Sequence, residues 1–289
     1  MHPVVYHIVS GHAFFTGTLM LIVSALASTK STPMSRRVTV WAFLSGAGLA
    51  SLSSTPLSWW GYVMAVGALL IWFEGYFKTE RRGSAAAFMV TVLLIVMLAE
   101  LPFHLRPTLQ AARDRSITVV GDSVTAGVGG DETSRRWPEL LASAHHLRVQ
   151  DISNMGETAA SALKRAKPHT ITSSIVIVEI GGNDVLGGTT PEEFTADLSN
   201  LLVHLSTPHR QVVMFELPLP PFYHAYGAAQ RRLARIYNVA LIPKHLFLSV
   251  IAEEDSTLDT IHLTQSGHQR MADAVWSVVA PAFDETQAQ

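Results

Sequence analysis

Cysteine is absent from this chain of 289 residues, and charged side chains are scarce. Without cysteine, a fold held by disulfides is excluded. Charged residues make up 15% of the chain, whereas soluble domains average about a quarter. The mean hydropathy is correspondingly positive, at +0.25. Part of this chain is therefore predicted to face something other than water.

The scarcity of charge is concentrated in the first part of the chain. Residues 1–110 contain seven Lys/Arg and three Asp/Glu, against fourteen and twenty in the remainder. Four apolar stretches cover residues 4–27, 38–52, 57–77 and 85–103. Each is near the roughly 20 residues that cross a bilayer, although the second is short enough to be a buried or re-entrant segment. We predict a transmembrane region of about four helices over 1–103, a linker over 104–115 and a second domain over 116–289.

Positive residues between the apolar stretches predict the orientation in the membrane. Six of them lie after the first and third stretches: Lys30, Arg36, Arg37, Lys78, Arg81 and Arg82. Because such residues are retained in the cytoplasm, the second domain is predicted to lie outside it. A competing interpretation is a signal peptide cleaved near residues 25–27. Cleavage would leave three spans and reverse the orientation.

Beyond residue 115, short apolar runs alternate with segments of helical spacing. The predicted strands are residues 117–120, 149–152, 174–180, 211–217 and 239–242. The predicted helices are residues 136–146, 159–167, 191–205, 225–236 and 264–280. This alternation predicts an α/β domain with a parallel sheet covered on both faces. Ligands of such a sheet bind beyond the carboxyl ends of its strands.

Four short blocks occupy these strand ends or the loop before the last helix. They are Gly-Asp-Ser at 121–123, Asn-Met-Gly at 154–156, Gly-Gly-Asn-Asp at 181–184 and Asp-Thr-Ile-His at 259–262. A serine hydroxyl needs a neighbouring base to become a nucleophile, and histidine changes protonation near neutral pH. Ser123 is the predicted nucleophile and His262 its base. Asp259 is predicted to hold the imidazole in one tautomer.

The remaining residues of the blocks suit the stabilisation of an oxyanion. A tetrahedral intermediate requires hydrogen-bond donors that are already in place. Gly156 can bring its backbone N–H close to substrate, and the amide of Asn183 can donate a second bond. The backbone N–H of Ser123 is the third predicted donor. Asp122 and Asp184 are expected to accept hydrogen bonds from loop backbone and hold the site rigid.

With these blocks in this order, residues 116–283 resemble the SGNH hydrolases, also called GDSL esterases and lipases. The resemblance assigns the four family letters to Ser123, Gly156, Asn183 and His262, with Asp259 as the third triad member. It implies a three-layer α/β/α domain of flavodoxin-like character and an acyl-enzyme mechanism on esters. Residues 157–159 are Glu-Thr-Ala, where family members often carry a further glycine. We expect neither a cofactor nor a metal.

These features favour a membrane-anchored serine esterase acting outside the cytoplasm on a small-molecule, lipid or acylated-glycan ester. An acyltransferase would use the same catalytic residues, and only competition by an acceptor hydroxyl would separate the two. A membrane sensor without turnover is disfavoured, because nucleophile, base and oxyanion donors are all retained. Nucleic-acid binding is disfavoured as well, since the second domain is net negative and lacks a basic patch with interleaved aromatics.

Four further histidines and one proline-rich segment have more ordinary interpretations. His145, His146 and His169 have no carboxylate at metal-ligand spacing and are predicted to lie at the surface. His268, inside the last helix, is predicted to pack there. Residues 217–224 leave the fourth strand at the edge of the proposed site. They would line its pocket or form a rigid turn.

Overall fold

The computed structural model describes residues 1–127, 134–259 and 261–284. The chain divides into two compact units. A helical unit comprises His2–Leu105 and Leu219–His224, and an α/β unit comprises Arg106–Pro218 and Ala225–Gln289 together with Met1. Most of the segment 217–224 thus groups with the helices, an outcome that the sequence did not predict.

The helical unit contains five α-helices, and the first apolar stretch is divided between two of them. The helices are α1 (Pro3–Val9), α2 (His12–Ser28), α3 (Pro33–Leu52), α4 (Trp59–Tyr76) and α5 (Arg82–Glu100), with a 3₁₀ turn at Leu101–His104. The prediction of one continuous helix over 4–27 is wrong, because the chain bends by 85° between α1 and α2. Gly11 permits the bend, since its φ of 86° lies in the left-handed region that glycine adopts without a Cβ penalty.

Small residues allow the closest helix contact in this unit. A Cβ atom on Gly46 of α3 would lie 2.7 Å from the carbonyl oxygen of Gly17 in α2, so only glycine lets the two backbones approach this far. Trp72 of α4 is buried and donates its indole N–H to Oγ of Ser28 at 3.1 Å. Helix α4 packs against α5, and α5 packs against α2.

One helical segment of the described chain, Arg82–His104, has the length and hydropathy required to cross a bilayer. The bent pair α1 and α2 would provide a second crossing if it forms a single broken span. Helices α3 and α4 are not among the segments that meet these requirements. The four predicted spans are therefore not confirmed, and a multi-pass region stays a prediction.

The α/β unit is built on a parallel five-stranded sheet, as predicted. Its strands are β1 (Ser116–Gly121), β2 (Arg148–Asp151), β3 (Ile175–Glu179), β4 (Gln211–Phe215) and β5 (Ala240–Ile242). They are arranged in the order β2-β1-β3-β4-β5, with every neighbouring pair parallel. This order is the flavodoxin-like one. All residues of β1 and β3 are buried, as expected for strands covered on both faces.

Eight α-helices are described in the α/β unit, with a 3₁₀ turn at Ala280–Phe283 after the last of them. They are α6 (Ser123–Ala126), α7 (Trp137–His145), α8 (Ala159–Ala166), α9 (Gly182–Leu186), α10 (Pro191–Leu205), α11 (His224–Ile236), α12 (Lys244–Ala252) and α13 (Gln265–Val279). From β1 to β2 the chain moves along the sheet in one direction, and from β2 onwards it moves in the other. Because such crossovers are right-handed, α7 and α8 are expected on opposite faces of the sheet. The packing agrees, because α8 contacts α10 whereas α7 contacts α13.

The strand order places two of the predicted loops side by side. The direction of winding reverses between β1 and β3, which is where ligands of such sheets bind. Gly121, the last residue of β1, is in register with Glu179, the last of β3. The next residue, Asp122, donates its N–H to the carbonyl oxygen of Glu179 at 3.2 Å. The loops that carry Ser123 and Asn183 therefore leave the sheet from adjacent points.

Candidate active site

Ser123 is the first residue of α6 and follows β1 after a single residue, Asp122. The Asp122 carboxylate caps this short helix, with Oδ1 accepting the N–H of Val124 at 2.9 Å. The Ser123 N–H has no partner within the helix, because the first N–H groups of any helix lack one. Ser123 is 8% exposed.

His262 lies between Ser123 and Asp259, within hydrogen-bond distance of both. Its Nε2 is 3.2 Å from Oγ of Ser123, and its Nδ1 is 2.6 Å from Oδ2 of Asp259. The structure thus brings together the three residues predicted to form a triad, although 139 positions separate the serine from the histidine. Thr260, which belongs to the same sequence block, lies outside the described residues.

The Asp259 carboxylate is held in its ionised form by its own loop. Its Oδ1 accepts the N–H of Ile261 at 2.8 Å and of His262 at 3.0 Å. These two backbone hydrogen bonds, and the one with the His262 side chain, hold the pKa of Asp259 far below its ordinary value. The carbonyl of His262 in turn accepts the N–H of Leu258 at 2.7 Å. The loop therefore fixes both the charge of Asp259 and the position of His262.

Gly156 adopts a backbone conformation that suits glycine, in the loop after β2. Its φ is 73°, and a Cβ atom built on it would meet nothing within 4 Å. Glycine is therefore favoured here by the backbone angle and not by a lack of space. Among the described residues the Gly156 N–H has no hydrogen-bond acceptor. This group is free to donate to a ligand.

Asn183 is positioned by the turn between β3 and α9. Gly181 has a φ of 124°, and a Cβ atom on it would lie 2.7 Å from Cδ1 of Leu217. The Asn183 amide nitrogen donates to Oδ2 of Asp122 at 3.2 Å and to the carbonyl oxygen of Glu157 at 3.0 Å. Its side chain therefore joins the loops that carry Ser123 and Gly156. The five predicted site residues lie together at one edge of the sheet, in the first turns of α6 and α9 and in the loops that follow β2 and precede α13.

The expected supporting roles of Asp122 and Asp184 are confirmed. Asp122 caps α6, and Oδ2 of Asp184 accepts the N–H of Ala159 at 3.0 Å. Asp184 is fully buried, and burial raises the pKa of its carboxyl group. Each aspartate thus ties a loop to the sheet edge, and neither takes part in the triad.

A buried polar cluster beneath Ser123 was not predicted from the sequence. Thr125 donates its hydroxyl to Oε2 of Glu179 at 3.0 Å and accepts the indole N–H of Trp137 at 3.2 Å. Glu179 is 8% exposed, and Trp137 is fully buried. The sequence does carry one signal, because β3 consists of four β-branched apolar residues followed by an acidic one. Such a strand ending is unusual for a sheet covered on both faces.

The four further histidines singled out from the sequence either pack against other side chains or lie at the surface. The ring of His145 stacks on Trp276 with centroids 3.7 Å apart, while His146 and His169 are exposed. His268 is 3% exposed, and its Nδ1 lies 3.3 Å from the backbone nitrogen of Trp137, which donates to it. Burial lowers the pKa of His268 to about 4, so the ring is neutral at physiological pH. The predicted packing role of His268 is confirmed.

A cavity of about 690 Å³ lies away from these residues. It is lined by residues 107–111 and by the residues that begin β3, β4 and β5. Parallel strands begin at the edge opposite to the one where they end, so this cavity and Ser123 lie at opposite edges of the sheet. It contributes nothing to the candidate site.

The model of one protein family, the GDSL-like lipase/acylhydrolase family, matches residues 119–270. The match covers more than half of the chain and includes every residue from Ser123 to His262. The chain belongs to this family. It is accordingly a serine hydrolase that acts on ester bonds.

Relatives and solved structures agree with this membership. The hydrolase is 28% identical to esterase TesA of Pseudomonas aeruginosa over 187 residues, which cover 60% of this chain and 91% of that protein. It is 31% identical to an arylesterase of Vibrio mimicus over 191 residues, or 60% of this chain and 90% of the relative. A crystal structure of TesA matches with a TM-score of 0.50 at 26% identity, covering 58% of this chain and 99% of that one. The family match, over residues 119–270, does not include residues 2–105 of the helical unit.

Proposed function

We propose that this protein is a membrane-anchored serine esterase that forms an acyl-enzyme on Ser123, with its α/β unit outside the cytoplasm. One observation carries the proposal: the side chains of Ser123, His262 and Asp259 form a continuous hydrogen-bonded series of 3.2 Å and 2.6 Å. These distances lie within or close to the range in which a base can take a proton from a nucleophile. The family membership supplies the reaction class.

In the first half of the reaction, Oγ of Ser123 attacks the ester carbonyl carbon while Nε2 of His262 takes the hydroxyl proton. The ionised Asp259 stabilises the imidazolium that forms and keeps the proton on Nδ1. When the tetrahedral intermediate collapses, the bond from carbon to the alcohol oxygen breaks. His262 then returns its proton to that oxygen, so the alcohol leaves neutral and the acyl group remains on Ser123.

The oxyanion of the intermediate would be stabilised by the N–H groups of Ser123 and Gly156 and by the amide of Asn183. The N–H groups of Ser123 and Gly156 donate to no acceptor among the described residues. Binding the oxyanion therefore breaks no existing hydrogen bond of these two groups. Asn183 differs, because its amide already donates to Asp122 and to the Glu157 carbonyl. We propose that the bond to Asp122 persists, and that the other amide N–H, which donates to the Glu157 carbonyl, turns to donate to the oxyanion and stays bonded to its nitrogen. Each such donor contributes about 3 kcal/mol to transition-state stabilisation.

The second half repeats the first with water as the nucleophile. His262 takes a proton from water as it attacks the acyl carbon, and a second tetrahedral intermediate forms at the same donors. Its collapse breaks the bond between carbon and Oγ, and His262 returns the proton to Ser123. The products are the carboxylic acid and the free enzyme, and no cofactor is required for the balance.

Exposed apolar residues beside the site favour an ester with an apolar group. Met155 precedes Gly156, Leu186 lies three residues after Asn183, and Leu258 precedes Asp259. They are 54%, 76% and 64% exposed, respectively. Exposed apolar side chains on the segments that carry the site residues provide surface that an apolar ligand would remove from water. We propose that they contact the acyl or alcohol portion of the substrate.

The membrane attachment is proposed from the segment Arg82–His104, which is apolar over the length of a bilayer. Lys78, Arg81 and Arg82 lie at its amino-terminal end. Positive residues there favour a cytoplasmic amino-terminal end, which directs the following α/β unit out of the cytoplasm. This orientation follows from the one segment alone and needs no assumption about the other helices.

Labelling with a fluorophosphonate probe tests the nucleophile. Full-length protein extracted in detergent is treated with the probe, alongside Ser123→Ala and the control Ser249→Ala. Ser249 is an exposed serine on α12, and its loss should change nothing. We expect wild type and the control to be labelled, and Ser123→Ala to remain unlabelled and inactive on a p-nitrophenyl ester. Equal labelling of the Ser123→Ala protein would exclude Ser123 as the nucleophile.

A further inference from the structure

The carboxyl groups of Glu179 and Asp122 share a buried site beneath the nucleophile. Glu179 is 8% exposed and Asp122 is 4% exposed, and the two residues are neighbours, because Oε2 of Glu179 accepts the backbone N–H of Asp122 at 3.4 Å. No lysine or arginine of the described residues forms an ion pair with either. Two adjacent buried carboxylates without a cation repel each other and lose hydration, so they retain one proton between them.

The hydrogen-bond partners decide which carboxyl group carries that proton. Asp122 is a pure acceptor towards its other neighbours, with Oδ1 taking the N–H of Val124 and Oδ2 taking the amide of Asn183. In Glu179, Oε2 accepts the Thr125 hydroxyl at 3.0 Å and the Asp122 backbone N–H at 3.4 Å, whereas Oε1 accepts no hydrogen bond from the described residues and can carry a proton. The charge is therefore best placed on Asp122, and the proton on Glu179.

The pKa shifts of the two carboxyl groups agree with a proton on Glu179 and a charge on Asp122. Burial, and then the charge of Asp122, raise the pKa of Glu179 well above its ordinary value. Burial also raises the pKa of Asp122, but its hydrogen bonds with Val124 and Glu179 and the nearby His262 act in the opposite direction. The other titratable neighbour is Asp184, whose own pKa is raised in part by Asp122. Both acids are thus shifted, and Glu179 more strongly.

We propose that Glu179 is a positioning residue that, as a neutral acid, donates a hydrogen bond to Asp122 and thereby holds the Asn183 amide in place for the oxyanion. The sequence of contacts runs from the Trp137 indole through Thr125 to Glu179, then to Asp122 and Asn183. Trp137 is fully buried and anchors one end in the core. Glu179 itself touches no reacting atom. This inference rests on the oxyanion role proposed for Asn183.

Glu216 provides a matched comparison within the same sheet. It is also a glutamate at the carboxyl end of a strand, directly after β4, and is 1% exposed. In contrast to Glu179, it faces two cations, with Oε1 at 2.7 Å from Nε of Arg231 and 4.0 Å from Nζ of Lys244. Replacement by glutamine should therefore lower the thermal stability at position 216, whereas at position 179 it should raise the stability relative to wild type as the pH increases. Only Glu216 loses ion pairs.

The first experiment measures thermal unfolding of the full-length protein in detergent between about pH 5 and about pH 8, for wild type, Glu179→Gln and Glu216→Gln. A neutral Glu179 must release its proton on unfolding, so wild-type stability falls as pH rises above the pKa of the unfolded glutamate. Glu179→Gln lacks this loss, and its Tm relative to wild type should increase with pH. Glu216→Gln should have a lower Tm than wild type throughout.

The second experiment measures kcat and KM on a p-nitrophenyl ester. Glutamine can still donate to Asp122 and accept from Thr125, whereas leucine can do neither. We expect Glu179→Leu to lose about a hundredfold in kcat with KM changed by less than about threefold, and Glu179→Gln to recover most of that loss.

Two results would overturn the inference about Glu179. One is a pH dependence of Tm in Glu179→Gln that parallels wild type, as an ionised Glu179 requires. The other is a kcat for Glu179→Gln as low as that of Glu179→Leu. Failure of the proposed function is recognised separately, because it would appear as fluorophosphonate labelling of Ser123→Ala. The unfolding data do not depend on activity, so they test the protonation of Glu179 in either case.

Discussion

The side chain of Thr125 lies directly against the α-carbon of Gly121, leaving no space for a Cβ atom at position 121. Thr125 is fixed there by Trp137 and Glu179, and it cannot move without breaking both hydrogen bonds. We therefore expect Gly121→Ala to destabilise the protein by about 1–3 kcal/mol, as is usual for overpacking a buried site. It should also lower kcat, since α6 and Ser123 would shift with Thr125. Denaturant unfolding and steady-state kinetics measure the two effects.

Gly182 is the control for this substitution. A Cβ atom there would lie 3.5 Å from Oδ2 of Asp122, which is an ordinary van der Waals contact. Gly182 is also the first residue of α9, where alanine is the better helix former. Gly182→Ala should therefore leave the free energy of unfolding unchanged or slightly higher. Equal destabilisation by both substitutions would contradict the explanation based on Thr125.

Gly156 provides a second test, because its constraint is conformational and not steric. Alanine at a φ of 73° costs about 1–2 kcal/mol, although the space around the new Cβ atom is empty. We expect Gly156→Ala to lower kcat by about tenfold to a hundredfold through displacement of the N–H donor. Asparagine tolerates left-handed angles better than alanine, so Gly156→Asn should be the more stable and more active variant. The reverse order would show that side-chain volume matters more than the backbone angle.

Asp259→Asn tests the orientation of the imidazole. The asparagine oxygen can still accept the backbone N–H groups of Ile261 and His262, so the loop should remain folded. Its amide would face Nδ1 of His262 as a donor and favour the wrong tautomer. A loss of about 10³–10⁴ in kcat is expected, as for the corresponding change in other triads. Asp255→Asn, in the same loop, is the control and should retain wild-type kcat. A loss below about tenfold for Asp259→Asn would remove Asp259 from the triad.

The neutral state of His268 predicts a loss of stability in acid. The folded-state pKa of about 4 lies below the ordinary value of 6.5, so the unfolded chain binds the proton more readily. Stability from this group is complete above 6.5 and is lost as the pH falls towards 4. Between about pH 7.5 and about pH 5 the loss should be on the order of 2 kcal/mol.

His268→Gln isolates this contribution, because glutamine can accept the Trp137 N–H but does not titrate. The difference in unfolding free energy between wild type and His268→Gln should therefore shift in favour of the variant as the pH falls. His146→Gln, at an exposed position, is the control and should follow wild type at every pH. Denaturant unfolding at the two pH values measures both. A constant difference for His268→Gln would show that the folded-state pKa of His268 is not lowered.

The fold of the α/β unit could be predicted from the sequence because its apolar runs and helix caps are strong local patterns. The apolar run of β3 has clear boundaries, and so does helix α10, which begins after the capping residue Thr190. The side chains of Thr190 and Glu193 each accept the backbone N–H of the other residue. The bend at Gly11 was missed, since hydropathy reports composition and not direction. Helix α9 was missed for another reason: five residues are too few to show a helical period.

The residues proposed to act on the substrate could be predicted from the sequence, whereas the buried polar cluster beneath Ser123 could not. Ser123 and Asn183 are in short polar blocks that follow strands, and His262 is in such a block before the last helix; these blocks can be recognised without coordinates. The cluster of Thr125, Trp137 and Glu179 depends on pairing between β1 and β3 and on the packing of α7. These contacts are distant along the chain, and no local pattern predicts them. Only the acidic end of β3 offered a hint.

The positive residues before the apolar segment predict the orientation of the protein in the membrane. Alkaline phosphatase fused after Gln289 should be active, and green fluorescent protein at the same position should be dark, if the α/β unit is exported. The reason is the positive charge of Lys78, Arg81 and Arg82 before the apolar segment Arg82–His104. Replacing these three residues with glutamine should reduce phosphatase activity and raise fluorescence.

Arg106, Arg113 and Arg115 follow the same apolar segment and provide the matched control. Replacing them with glutamine removes the same amount of charge from the other side, so it should leave phosphatase activity equal or higher. Carbonate extraction should retain all the fusions in the membrane fraction, because none of the changes falls within the apolar residues 85–103. Fluorescence of the unmodified fusion, without phosphatase activity, would place the α/β unit in the cytoplasm and overturn the proposed location.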